Sequence, residues 1–148
     1  MARLQRTRGF TLIELLIVVV VVAILASIAV PSYIQYIIRA ERAEAVNAIL
    51  DVMAQQERYR ANNPIYAAPN LLTVARTADP EGLGLSGTSD EGRWEVEIVA
   101  GTVSATEYTV RATKVAGRTD NTCSPLDIEV VMGQAEAAAG TPEECWRR

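Results

Sequence analysis

The chain has 148 residues, enough for one domain beyond a membrane anchor, and 49% of them are hydrophobic. Its 14 basic side chains are outnumbered by 18 acidic ones, a balance that disfavours a general nucleic-acid binder because phosphate backbones demand lysine and arginine surfaces. Histidine is absent, which removes Ser/His/Asp and Cys/His catalysis.

The first element is a short basic leader holding Arg3, Arg6 and Arg8, followed by Gly9-Phe10-Thr11-Leu12-Ile13-Glu14 and an almost wholly apolar run from Leu15 to Val30. Residues 10–30 form a helix of roughly 31 Å at about 1.5 Å per residue, one hydrocarbon core. The leader arginines, with no acid among them, place the amino end in the cytoplasm. Glu14 is the residue that needs an explanation. A charge in such a span costs about 2.5–3.5 kcal/mol at the bilayer centre, less near its edge, and is kept for function. Cleavage between Gly9 and Phe10 frees an α-amine four residues ahead of Glu14. If both residues are helical they share a face, and the helix dipole adds to the attraction. Gly9 suits the scissile position because a backbone without Cβ fits a crowded cleft. An ordinary secretory signal, cut after Ser27-Ile28-Ala29, leaves Glu14 unexplained.

These residues, together with Pro31-Ser32-Tyr33 at the end of the apolar run, resemble the signature of type IV pilins and related pseudopilins over residues 6–36. The resemblance implies removal of a cytoplasmic leader, 1–9, by a prepilin peptidase that also methylates Phe10. It implies a transmembrane and filament-core helix over 10–31, and a periplasmic domain over 32–148. It gives Glu14, Phe10 and Pro31 roles in assembly. The partners it implies are other pilin subunits in a helical filament, the peptidase/methyltransferase, and the inner-membrane pilus machinery. The chain is then a single-pass inner-membrane protein before assembly and part of an extracellular fimbrial fibre afterwards. Losing the leader arginines shifts the formal charge from −4 to −7.

Beyond Pro31, which removes an amide donor and should kink the rod, the pattern predicts helix over 32–63. Ile34, Ile38, Ala45, Val46, Ile49, Leu50 and Met53 recur at three- and four-residue steps, with Arg39, Arg42, Glu44, Asn47 and Asp51 largely on other faces. Asn62-Asn63-Pro64 ends it. Residues 64–92 read as a long αβ loop punctuated by proline and glycine and pinned by Leu71, Leu72, Leu83 and Leu85. Residues 93–131 alternate with a period of two: Trp94, Val96, Ile98; then Tyr108, Val110, Ala112; then Leu126, Ile128, Val130. That predicts three antiparallel strands with one buried face, covered by the helix stripe at 45–53, with Gly133 opening a short return through 134–138. The fold class is therefore α+β, a long N-terminal helix packed on a small antiparallel sheet.

Two cysteines in an exported domain read as a disulfide, Cys123–Cys145, enclosing a C-terminal region at 123–145. Two thiols without histidine are too few for a structural zinc site. The bridge also resembles the C-terminal disulfide loop of type IV pilins, minor pilins among them. Trp146 packs on the bridge or faces a contact surface. Paired acids, Glu95/Glu97 and Glu143/Glu144, suit solvated strand faces and tails, and neither an enzyme, a metal nor a cofactor is expected. Three readings remain. The chain is a major or minor pilus subunit, a type II secretion pseudopilin, or a tip pilin whose domain binds DNA or an adhesion target, in a fibre serving uptake, adhesion or twitching.

Overall fold

The structure, a computed structural model, describes residues 10–146. The leader and the scissile Gly9 lie outside the described residues. Helix α1 runs from Leu12 to Arg60 and continues through Pro31. Among the described residues it is the one helix long and apolar enough to cross a membrane. The chain divides into two compact units, one reaching to Tyr36 and the other beginning at Ile37.

In the first unit the apolar side chains from Leu12 to Val30 are exposed around the helix. A helix apolar on every side has no single face to bury against a core, a surface suited to lipid or to other helices.

The second unit is an antiparallel meander under a helix. Strands β1 (Trp94–Ile98), β2 (Glu107–Lys114), β3 (Leu126–Val131) and β4 (Gln134–Ala137) pair in chain order. The short helix α2 spans Glu143–Trp146. Alternation decides which face is buried: Trp94, Val96 and Ile98 lie opposite Lys114, Ala112 and Val110, and Tyr108, Val110 and Ala112 opposite Val130, Ile128 and Leu126. All the apolar members of these pairs join one core with Ala45, Val46, Ile49, Val52 and Tyr59 of α1. The expected return segment is a paired fourth strand. Met132 (φ 51°) and Gly133 (φ 77°) form a two-residue turn before it, the left-handed pair that a tight hairpin requires.

The helix stripe differs from the predicted one at its far end. Leu50 is exposed, and Val52, Gln56 and Tyr59 take the buried face. Gln56 sits there because it replaces missing backbone partners: its Nε2 donates to Ala67 O at 3.0 Å and its Oε1 accepts from Ala67 N at 2.7 Å. The helix ends at Arg60 rather than Asn63, where the Asn63 side-chain amide donates to Tyr59 O at 2.9 Å and closes the turn.

The long loop carries its own order. Leu83 N donates to Leu71 O at 2.9 Å, Leu85 N to Leu72 O at 3.0 Å and Gly84 N to Val74 O at 2.8 Å. Gly82 is required at this crossing, since a Cβ there would lie 2.2 Å from Val74 O. Leu71, Leu72 and Leu83 are buried and Leu85 packs against the core, as their spacing predicts.

Candidate functional site

The helix start that the sequence singles out is organised by Thr11. Its Oγ1 accepts from Glu14 N at 3.2 Å, and its carbonyl accepts from Leu15 N at 3.2 Å. Thr11 is thus the N-cap and Glu14 the third helical residue, half of the Thr-x-x-Glu capping arrangement. That signature is legible in the sequence. Phe10 stands ahead of the cap, outside the helix and 81% exposed. The one-turn helical step assumed between Phe10 and Glu14 is therefore absent, because the helix begins two residues after Phe10.

The second place where chemistry gathers is the segment joining β2 to β3, residues 115–125. Its exposed part runs through Val115, Ala116, Arg118, Thr119, Asn121 and Thr122. It is held from beneath by charged residues of α1 that helical periodicity places on the solvent side. Arg42 donates to Asp120 with Nε–Oδ2 at 2.9 Å and Nη2–Oδ1 at 3.2 Å, and the Cys123 amide donates to Oδ1 at 3.2 Å. Glu41 accepts from Lys114 Nζ at 2.6 Å and from the Arg118 amide at 3.0 Å. The Lys114 ammonium also lies 4.8 Å from the Trp94 ring centroid, and the Trp94 indole donates to Glu41 O at 2.7 Å. Glycine is fitted at 117, where φ is +86° and a Cβ would stand 2.8 Å from Glu41 Oε2.

Glu44 continues the network. It accepts from Arg93 Nη1 at 3.0 Å, from the Glu91 amide at 3.1 Å and from the Ser89 hydroxyl, which in turn accepts from Trp94 N at 3.1 Å. Burial pushes both carboxyls up. For Glu41 the bonds from Lys114 and the Arg118 amide outweigh burial, and for Glu44 those from Ser89, Arg93 and the Glu91 amide do, so both lie below the usual carboxylate value.

Cys123 and Cys145 are joined, with Cα atoms 5.5 Å apart. The bridge is buried and Trp146 packs against the core beside it. The predicted pairing is present, and it ties the C-terminal segment to the 115–125 loop.

Most cations of this unit are spent on such contacts. Arg58 pairs with Glu81 at 2.6 Å and Arg111 with Asp127 at 2.8 Å. Arg60 donates to Ala105 O and Asn63 O. Among the described residues, the side chains of Arg39, Arg76 and Arg118 have no carboxylate partner and are exposed. Arg118 lies in the segment bordering a surface cleft of about 310 Å³ lined by Lys114, Gly117, Thr119, Asn121 and Ser124. The outer sheet face, in contrast, exposes Glu95, Glu97, Glu107, Glu129 and Glu136. The 115–125 loop offers a polar surface on which one exposed cation, Arg118, has no carboxylate partner.

Two families match the chain. Residues 4–30 match the prokaryotic N-terminal methylation motif. Residues 31–127 match the family of the type IV minor pilin ComP, DNA uptake sequence receptor. No individual protein of curated function matches closely enough to stand beside them. With the motif over the helix start and the second match over about two-thirds of the chain, this protein belongs to the type IV minor pilin ComP family.

Proposed function

We propose that this minor pilin displays a receptor for DNA carrying an uptake sequence, with the 115–125 loop as the contact surface. The observation that carries the reading is the family match across residues 31–127, whose description names a DNA uptake sequence receptor. The geometry supports it in one respect. Arg118 supplies an unpaired cation for a phosphate, while Thr119 and Asn121 beside it present a hydroxyl and an amide suited to base edges. The formal charge of −7 after leader removal fits a receptor that recognises few phosphates and rejects DNA in general.

Processing and assembly complete the proposal. The precursor sits in the inner membrane with residues 1–9 in the cytoplasm, is cut between Gly9 and Phe10, and is methylated on Phe10. Residues 10–31 anchor it and later join the filament core, leaving 32–148 outside. Extraction replaces lipid contacts with helix packing, and Glu14 is compensated by the Phe10 amine of its own or a neighbouring chain, since an unpaired ion in that dry interior costs several kcal/mol. The minor-pilin match and the C-terminal bridge support a pilus subunit over a secretion pseudopilin.

The deciding experiment is gel retardation by the full chain in lipid nanodiscs, with an uptake-sequence duplex against a scrambled one. The uptake-sequence duplex is retarded preferentially. The slope of log affinity against log salt is only about −1 to −2, the value for one or two phosphates. Equal retardation of both duplexes, or of neither, overturns the receptor reading.

A further inference from the structure

Three cations approach the 115–125 loop from beneath, and each is met by a carboxylate. Arg42 is forked onto Asp120. Arg93 pairs with Glu44 at 3.0 Å and with Glu91, and its Nε lies 3.9 Å from Glu41 Oε1. Lys114 differs from the other two because it lines the same cleft as Thr119 and Asn121. Its ammonium nevertheless lies 2.6 Å from Glu41 Oε2, and its side chain is only 8% exposed. Glu41 reaches it from α1 with its own side chain 11% exposed. Gly117 covers that carboxylate so closely that a Cβ there would stand 2.8 and 3.0 Å from its two oxygens.

We infer that Glu41 masks Lys114 and so keeps the loop from binding DNA phosphates without regard to sequence. The inference rests on the reading of 115–125 as a DNA-contact surface and adds a residue that limits its sequence-independent binding. A bare lysine in that cleft would be a point charge satisfied by any phosphate, and phosphate contacts carry no sequence information. An ammonium already held by a carboxylate gains little by exchanging it for a phosphate, and the carboxylate repels an incoming strand. Glu41 has a second hold, the Arg118 amide at 3.0 Å, which fixes the backbone of the loop's own cation. One carboxylate thus silences Lys114 and positions Arg118. Glu41→Gln keeps an acceptor for that amide and removes the charge, so it unmasks Lys114 with the loop in place.

The test is retardation of a scrambled duplex over a salt series by the full chain in lipid nanodiscs, with thermal melting followed alongside. Wild type, Glu41→Gln, Lys114→Gln and the double variant are compared. Glu41→Gln should bind the scrambled duplex up to about fivefold more tightly at low salt, the size of an exposed ion pair. Its slope of log affinity against log salt should be steeper by about 1, the value of one added phosphate contact. Lys114→Gln alone should keep the wild-type slope, and the double variant should return to it. A wild-type slope in folded Glu41→Gln, a slope shallower by about 1 in Lys114→Gln, or a slope still steep in the double variant overturns the inference. Lys114→Gln decides it alone should Glu41→Gln not fold. A wild-type chain without preference for the uptake sequence, with Glu41→Gln still steepening the slope, removes the receptor reading and leaves the masking intact.

Discussion

Arg42 and Asp120, 78 residues apart, meet as a two-pronged ion pair beneath the β2–β3 loop, with Nε–Oδ2 at 2.9 Å and Nη2–Oδ1 at 3.2 Å. Their side chains are only 17% and 4% exposed. The pair fastens the proposed DNA-contact loop to α1, and Asp120 also receives the amide of a disulfide cysteine. Removing one partner of such a pair leaves the other charge stranded.

Arg42→Ala is therefore expected to destabilise the domain by about 3 kcal/mol. Arg42→Lys restores the charge but not the fork, and should fall between the two. Urea denaturation in oxidising buffer measures both. A loss of only a few tenths of a kcal/mol in Arg42→Ala shows that the pair does not secure the loop.

A pH dependence follows from Glu41 and Glu44, both held below the ordinary carboxylate value of 4.5 in the fold. A carboxyl with a depressed folded pKa binds its proton less readily than in the unfolded chain. Its stabilisation is complete above the unfolded value and is lost as pH falls through the folded one. Melting temperature should therefore drop as pH is lowered from about 4.5, and Glu41→Gln with Glu44→Gln should reduce that drop while melting lower at pH 7. Parallel pH profiles for the two proteins contradict the assignment.

Gln56 is fully buried and makes two hydrogen bonds to the backbone of Ala67. In Gln56→Leu both backbone groups lose their partners inside the core, a cost of about 1–3 kcal/mol each before any gain from the added apolar surface. The expected net loss is about 2 kcal/mol, with raised amide exchange at Ala67. Exchange at Ala67 that stays at the wild-type rate rules out this role.

The sheet was legible because its signal is local. A period of two over Trp94–Ile98, Tyr108–Ala112 and Leu126–Val130 names the buried face without knowledge of the partner strand. The ion pairs were not, because their partners are far apart in sequence: Glu41 and Lys114 are 73 residues apart and Glu44 and Arg93 are 49 apart. Periodicity alone assigns such charges to solvent. Gln56 escaped for a related reason, since a polar residue on an apolar stripe declares its partner only when the loop folds back. At the other end, the Thr11-x-x-Glu14 spacing was readable but overshadowed by the charge of Glu14.

The cap gives Glu14 a local role that competes with assembly, and two substitutions separate them. Thr11→Val removes the Oγ1 acceptor of the Glu14 amide, a loss of about 1 kcal/mol at the helix start. It leaves the Glu14 carboxylate in place, so the variant should be cut after Gly9 and incorporated into sheared fibres nearly as well as wild type. Glu14→Val keeps the Thr11 cap, because the bond is made by the backbone amide, but deletes the charge. It should insert in the membrane and be cut normally, then be missing from fibres. Immunoblots of sheared and membrane fractions, with the mature N-terminus read by mass spectrometry, compare the two. If Thr11→Val is depleted from fibres as strongly as Glu14→Val, the ordered helix start is needed for assembly as much as the charge. If Glu14→Val is found in fibres at wild-type levels, charge compensation in the filament core is not what the residue does.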